Sequence, residues 1–169
     1  DPFVSRAYRE LGDELVDQFE HLPVKVEVRT GSGEPYKSSA DMRRDVLENN
    51  HLYIYATTPE TFGPKGVDFT GHPLLEDSGY KDVNGVPLLK NDLLRAVHDY
   101  YAHTITPVEF GPKGEEAAWK THMQMTKSPW ARMALTSETR GQNSVVNFGS
   151  NAEFNRKNKA DTIFADQKA

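Results

Sequence analysis

The chain has 169 residues, a net charge of -5 with a pI near 5.7, no cysteine, 37% hydrophobic and 27% charged residues, and a mean hydropathy of -0.69. That length fits one domain with a single core, and the absence of cysteine excludes disulfides, thiolate metal sites and a cysteine nucleophile, leaving His, Asp and Glu to hold any metal. The acidic balance without a basic run excludes a bulk nucleic-acid-binding patch, and no apolar run is long enough to span a membrane.

Asp1 and Pro2 form an N-cap and a first-turn proline, and Val4, Ala7, Leu11, Leu15, Phe19 and Leu22 then recur at helical spacing, so an amphipathic helix ending before Pro23 is predicted. Residues 24–29 alternate Val24, Val26 and Val28 with Lys25, Glu27 and Arg29, the pattern of a strand with one buried face. Ser38 or Ser39 caps a short helix, and residues 52–56, aromatic and β-branched, make a second strand that pairs with the first. Residues 57–90, punctuated by four prolines and five glycines, read as a long loop, which in a compact domain serves as a lid or binding segment or stays flexible. Phe62-Gly-Pro-Lys-Gly66 recurs as Phe110-Gly-Pro-Lys-Gly114, which we read as shared turn chemistry.

Three helices follow. Asn91 caps the first, the second covers residues 115–125, and Ser128 with Pro129 starts the third, which Gly141 ends. Residues 144–148 read as a short strand and 150–169 as a polar tail ending without a stop signal, as a segment of something longer would. The expected fold is α+β and mostly helical, with a small sheet of two or three strands packed with about five helices, in one domain over residues 1–149. The N-terminus shows neither a basic region nor an apolar core of an export signal.

Residues 91–143 concentrate the reactive side chains. Residues four or seven apart share a helix face, so Asp99 is expected beside His103 and Glu115 over His122. Ala131, Ala134, Leu135 and Glu138 form one stripe, which aims a carboxylate at the core and demands a metal, arginine or histidine as its partner. Arg140 is a candidate for Glu138 or for a substrate anion. His98 and His103 are five apart, about 140° around a regular helix, and converge only if the helix widens, as a π-bulge does. With Glu138 they would form a two-His-one-carboxylate site, the ligand set of non-haem iron and also of zinc. His21, His51 and His72 sit singly, and no serine elbow, P-loop or dinucleotide-binding glycine motif occurs.

The segment His98-Asp-Tyr-Tyr-Ala-His103, with Glu138 forty residues beyond His98, resembles the His-Glu-x-x-Gly-His and distal glutamate of the pterin-dependent aromatic amino acid hydroxylases. That resemblance implies ferrous iron on His98, His103 and Glu138. Asp99 and Ala102 stand where that family has glutamate and glycine, and no pocket for its pterin is identifiable in the sequence. A longer run, from Arg95 to His103, from Gly114 to Trp119 and from Glu138 to Gly149, resembles an uncharacterised domain of bacteriophage and prophage proteins embedded in large polypeptides. It implies a viral origin, in the bacterial cytoplasm or the virion, and adds Glu115, Glu116 and residues 138–142 to the site.

The sequence thus predicts a metal-dependent enzyme. His98, His103 and Glu138 would hold iron(II), with zinc the other metal that suits them, while Asp99, Glu115 and His122 orient ligands or transfer protons and Arg140 and Gln142 hold a small polar substrate. Hydroxylation is the leading reaction. A zinc hydrolase using Glu115 or Glu116 as general base is the first alternative, and a non-catalytic phage protein with a buried His/Glu network is the second.

Overall fold

The computed structural model describes residues 1–31, 34–64, 66–106, 108–158 and 162–163. In chain order the elements are α1 (Pro2–Glu20), β1 (Lys25–Arg29), α2 (Ser39–Asn49), β2 (His51–Tyr55), α3 (Pro59–Phe62), a 3-10 turn (Pro73–Leu75), β3 (Asp77–Lys81) and β4 (Pro87–Leu89). Then come α4 (Lys90–His98), a π-helical segment (Asp99–Ile105), α5 (Pro112–Met125), α6 (Pro129–Thr136), a second π-helical segment (Ser137–Gly141), α7 (Gln142–Phe148) and α8 (Ala152–Lys157). The fold is α+β and mostly helical, as expected.

The Asp1 carboxylate accepts from the backbone N–H of Phe3 at 2.8 Å, which starts α1. One stripe of α1, Ala7, Tyr8, Leu11 and Leu15, is buried against Ala131, Ala134 and Leu135 of α6 and Leu93 and Leu94 of α4. The alanines of α6 let the backbones approach closely, and Leu11, Leu15, Leu93 and Leu135 are fully enclosed. A second, smaller core lies under the strands. β1 and β2 run parallel, with Val26 beside Leu52 and Val28 beside Ile54. A parallel pair needs a crossover, and α2 supplies it, burying Met42 and Val46 on the strands and on Ala96 of α4. His51 pins this unit, its Nδ1 2.7 Å from Asp45 of α2 and its Nε2 3.1 Å from Glu27 of β1.

Several expectations change. Residues 57–90 are not a structureless loop: they contain α3, the 3-10 turn and the antiparallel hairpin β3–β4. The hairpin turn is held by Asp82, whose buried carboxylate accepts from the N–H groups of Asn84 and Val86 at 2.8 Å each and from Val28 of β1 at 3.1 Å. Its alternation is weak because four of its five β3 residues are polar or glycine, which hides the period that betrays a strand. Asn91 does not cap α4. It lies inside the helix, donating to Thr57 Oγ1 at 3.0 Å, while Asp92 accepts from the N–H of Leu89 and of Thr57 at 2.9 Å each.

Gly141 does not end the third predicted helix, because its φ of -62° is helical and the chain continues through the second π segment into α7. Residues 144–148 are therefore helix and not strand. The polar tail holds α8 over Ala152–Lys157, and most of the rest of it lies outside the described residues. The two Phe-Gly-Pro-Lys-Gly copies do not share a turn. Gly63 is fully extended, whereas Gly111 has a φ of 115° and precedes α5. Among the described residues, no helix is long and apolar enough to cross a membrane.

Because Leu135 is fully buried where α1 and α6 meet, Leu135→Ala should cost about 2–5 kcal/mol, read as a lower urea midpoint with an unchanged slope.

Candidate metal centre

The histidine pair depends on a change of helical register. α4 ends at His98, and the following π segment replaces the i→i+4 ladder with i→i+5 bonds, seen directly where Thr106 N–H donates to the carbonyl of Tyr101 at 3.3 Å. In that wider turn residues five apart lie over one another. His103 accordingly returns to the side of His98, the two Nε2 atoms 3.2 Å apart and the ring centroids 5.1 Å apart. His103 is almost fully buried, and its Nδ1 lies 3.1 Å from the carbonyl of Val108, which makes Nδ1 the donor there and turns Nε2 toward the centre.

The carboxylate that joins them is Glu115, in the first turn of α5. Its Oε2 is 3.3 Å from His98 Nε2 and its Oε1 3.3 Å from His103 Nε2. Gly114 makes this placement possible, since a Cβ there would fall 1.6 Å from the carbonyl oxygen of Glu109 and force the turn away. Burial pushes the Glu115 carboxyl up, yet the bonds from His103 and His98 outweigh it and hold it far below the ordinary range. His103 is pushed down by burial and pulled further up by Glu115, so it is raised overall. Asp99, beside them, is pushed up to about 6, chiefly by burial, against the pull of His98 and His103.

This corrects the ligand expected in third place. Among the described residues His98, His103 and Glu115 converge with their ligand atoms, as do the exposed Asp17, Glu20 and His21 at the surface, and Glu138 stands outside both groups. Glu138 sits on the second π segment, where its Oε1 accepts from Tyr8 Oη at 2.5 Å. The stripe of Ala131, Ala134, Leu135 and Glu138 is present, and one partner of its carboxylate is a phenol from α1. Both carboxylates border the same cavity of about 340 Å³, together with His98, Asp99, Arg95 and Gln142.

The other expected pairs also change. Glu115 and His122 share a face of α5 but are two turns apart, about 10 Å along the axis, so they cannot touch. His122 is buried with its Nε2 2.9 Å from Gln18 Oε1 of α1, and burial, assisted by His98, pushes its pKa down to about 3. Among the described residues no hydrogen bond joins Asp99 to His103, because the π register breaks the i,i+4 relation that would have stacked them. Arg140 is exposed, its Nε 2.9 Å from Glu116 Oε2 and its guanidinium 4.8 Å from the centroid of Trp119, away from the cavity wall.

Gln142, expected to hold a substrate, borders the cavity. Arg95 also borders it, but donates to the carbonyls of Tyr55 at 2.5 Å and Thr61 at 2.8 Å. Tyr8 and Gln18 were not anticipated. Gln18 falls in register with Leu11 and Leu15, and a lone amide in an apolar stripe is the signal that could have exposed it.

His72, buried in an edge contact with Tyr8 at 4.7 Å and with Phe62 at 4.8 Å, is pushed down to about 4 by burial. The unfolded chain then takes up a proton that the folded chain refuses. His72 alone should cost up to about 3 kcal/mol as pH drops from about 6.5 to 4, and His72→Phe should make the fall of urea midpoints over that window shallower, the remainder coming from His122. No family model matches the chain, and no curated protein or solved structure matches it.

Proposed function

We propose that the chain is a metal-dependent enzyme with a mononuclear two-His-one-carboxylate centre of His98, His103 and Glu115, holding iron(II) and oxidising a small polar substrate, with hydroxylation as the reaction class. The observation that carries this is the spacing of the candidate donor atoms: the two Nε2 atoms lie 3.2 Å apart, and the Glu115 carboxylate spans them, its Oε2 3.3 Å from His98 Nε2 and its Oε1 3.3 Å from His103 Nε2. Bonds of about 2.1 Å meeting at about 90 to 110° place neighbouring donor atoms about 3.0 to 3.4 Å apart, so the residues fit one ion bound on one face of its coordination sphere. Such a face leaves positions open, and iron(II) held by these residues would supply oxygen activation, one atom of dioxygen going to the substrate and the other to water with two electrons from a reducing co-substrate.

The chain's own residues shape what surrounds that centre. Glu115 and the two histidines supply two neutral donors and one negative charge, and the Val108 carbonyl orients one imidazole. Gln142 offers an amide to a polar substrate from α7, while the Tyr8–Glu138 pair borders the same cavity. Neither arginine near the centre is offered as an anion clamp, since Arg140 is paired with Glu116 and Arg95 with backbone carbonyls. That favours a neutral or cationic substrate. A phage origin, in the host cytoplasm or the virion, accompanies this reading through the resemblance of residues 95–103, 114–119 and 138–149 to phage and prophage domains. No pterin is part of it.

A second reading, hydrolysis on zinc, is favoured by one observation. Glu138 lies on the cavity outside the ligand group, where it can serve as a general base. Glu115 is then a ligand, and Glu116 is occupied by Arg140.

Protein purified without chelator and under anoxic conditions should retain close to one iron per chain, and one zinc would favour the hydrolase. His98→Ala, His103→Ala and Glu115→Ala should each weaken metal binding by at least about 100-fold with the fold intact, whereas Glu138→Ala should keep the metal. A Glu138→Ala chain that loses metal beside a Glu115→Ala chain that keeps it would overturn the ligand set.

A further inference from the structure

Two buried nitrogens near the centre have no hydrogen-bond partner among the described residues: Nδ1 of His98 and Nδ1 of His122. Their protonation is complementary. If Nε2 of His98 faces the metal, its Nδ1 carries the proton and is a donor. His122 has its Nε2 2.9 Å from Gln18 Oε1, an atom that can only accept, so Nε2 carries the proton there and Nδ1 is a bare acceptor. The orientation of Gln18 follows from its other end, where Nε2 donates to the carbonyl of Met125 at 3.4 Å.

The two rings are neighbours, with centroids 6.1 Å apart and planes tilted by 44°. The two Nδ1 atoms make no direct hydrogen bond to each other, and one water can join a donor and an acceptor up to about 5.5 Å apart, since it makes two hydrogen bonds of about 2.9 Å. Metal-bound histidines nearly always donate their second nitrogen to something. His103 has the Val108 carbonyl for this, and His98 has no protein group among the described residues.

We infer that His122 and Gln18 are positioning residues for the metal ligand His98, acting through one buried water held between the two Nδ1 atoms. The chain His98–water–His122–Gln18 ties the ligand on α4 through α5 to α1, and fixes the tautomer and ring orientation of His98. The inference rests on His98 being a metal ligand. It also gives Gln18, at the C-terminal end of a helix otherwise devoted to core packing, a part in the centre.

The test uses the intact chain with zinc(II) alone as the diamagnetic probe. Nitrogen-15 spectra of the histidine rings should show Nε2–H on His122 and Nδ1–H on His98 in the zinc-loaded protein. His122→Phe and Gln18→Leu should each weaken zinc binding by about 10- to 100-fold, and His122→Gln, which keeps an acceptor, should restore most of it. An Nδ1–H tautomer on His122, or wild-type affinity in both His122→Phe and Gln18→Leu, would overturn the proposal. If His122→Phe fails to fold, Gln18→Leu and the spectrum of the unaltered chain decide it. Loss of zinc in His98→Ala, His103→Ala and Glu115→Ala with no loss in His122→Phe and Gln18→Leu would sink this relay alone, whereas indifference to all five substitutions would sink the metal centre with it.

Discussion

Bringing two imidazoles five residues apart to a 3.2 Å separation of their Nε2 atoms requires a helix that is not α-helical, and the π segment at Asp99–Ile105 meets that requirement. Everything at the centre depends on this register. A regular helix would leave His103 about 140° around from His98, facing a different neighbour. π turns are rare because their hydrogen bonds and packing are poorer than those of an α-helix, and they cluster at functional sites. Among the described residues there are two, and the second carries Glu138 to the same cavity.

The cluster is electrostatically costly. Two imidazoles and a carboxylate are taken largely out of water, and burial alone would neutralise Glu115. Charge-assisted contacts from both histidines offset that penalty and keep the carboxylate ionised. The two Nε2 atoms facing each other at 3.2 Å cannot both carry a proton pointing into the gap, so at least one presents a lone pair there. A cation held between them would bind both nitrogens, once deprotonated, and the carboxylate at once.

α1 serves both the core and the centre. Its Leu11 and Leu15 are sealed against α4 and α6, which fixes how those helices cross. From the same face Tyr8 reaches Glu138 and Gln18 reaches His122. The polar contacts borrow their precision from the apolar packing around them, because neither side chain could be held at bonding distance by a helix free to shift.

Much was readable without coordinates. Alternating valines and a repeating leucine stripe announced β1 and α1, since one-face burial imposes a period on sequence. The need for a widened helix between His98 and His103 also followed from their spacing alone. Other features had no local signature. Asp77 to Lys81 forms a strand although its residues are polar, because Asp82 and β1 hold the hairpin, and residues 144–148 are helical although Val145 and Val146 favour strands. The choice of Glu115 over Glu138 was not local either. It depends on where α5 begins, a start set by Gly111 and by the close approach of Gly114 to Glu109, and on Tyr8 being 130 residues from Glu138 in the chain yet beside it in space. Sequence by itself determined the fold class and which histidines could pair, because those follow from periods along one element. Only the tertiary structure decided which carboxylate joins them, because that choice is made by the packing of separate helices.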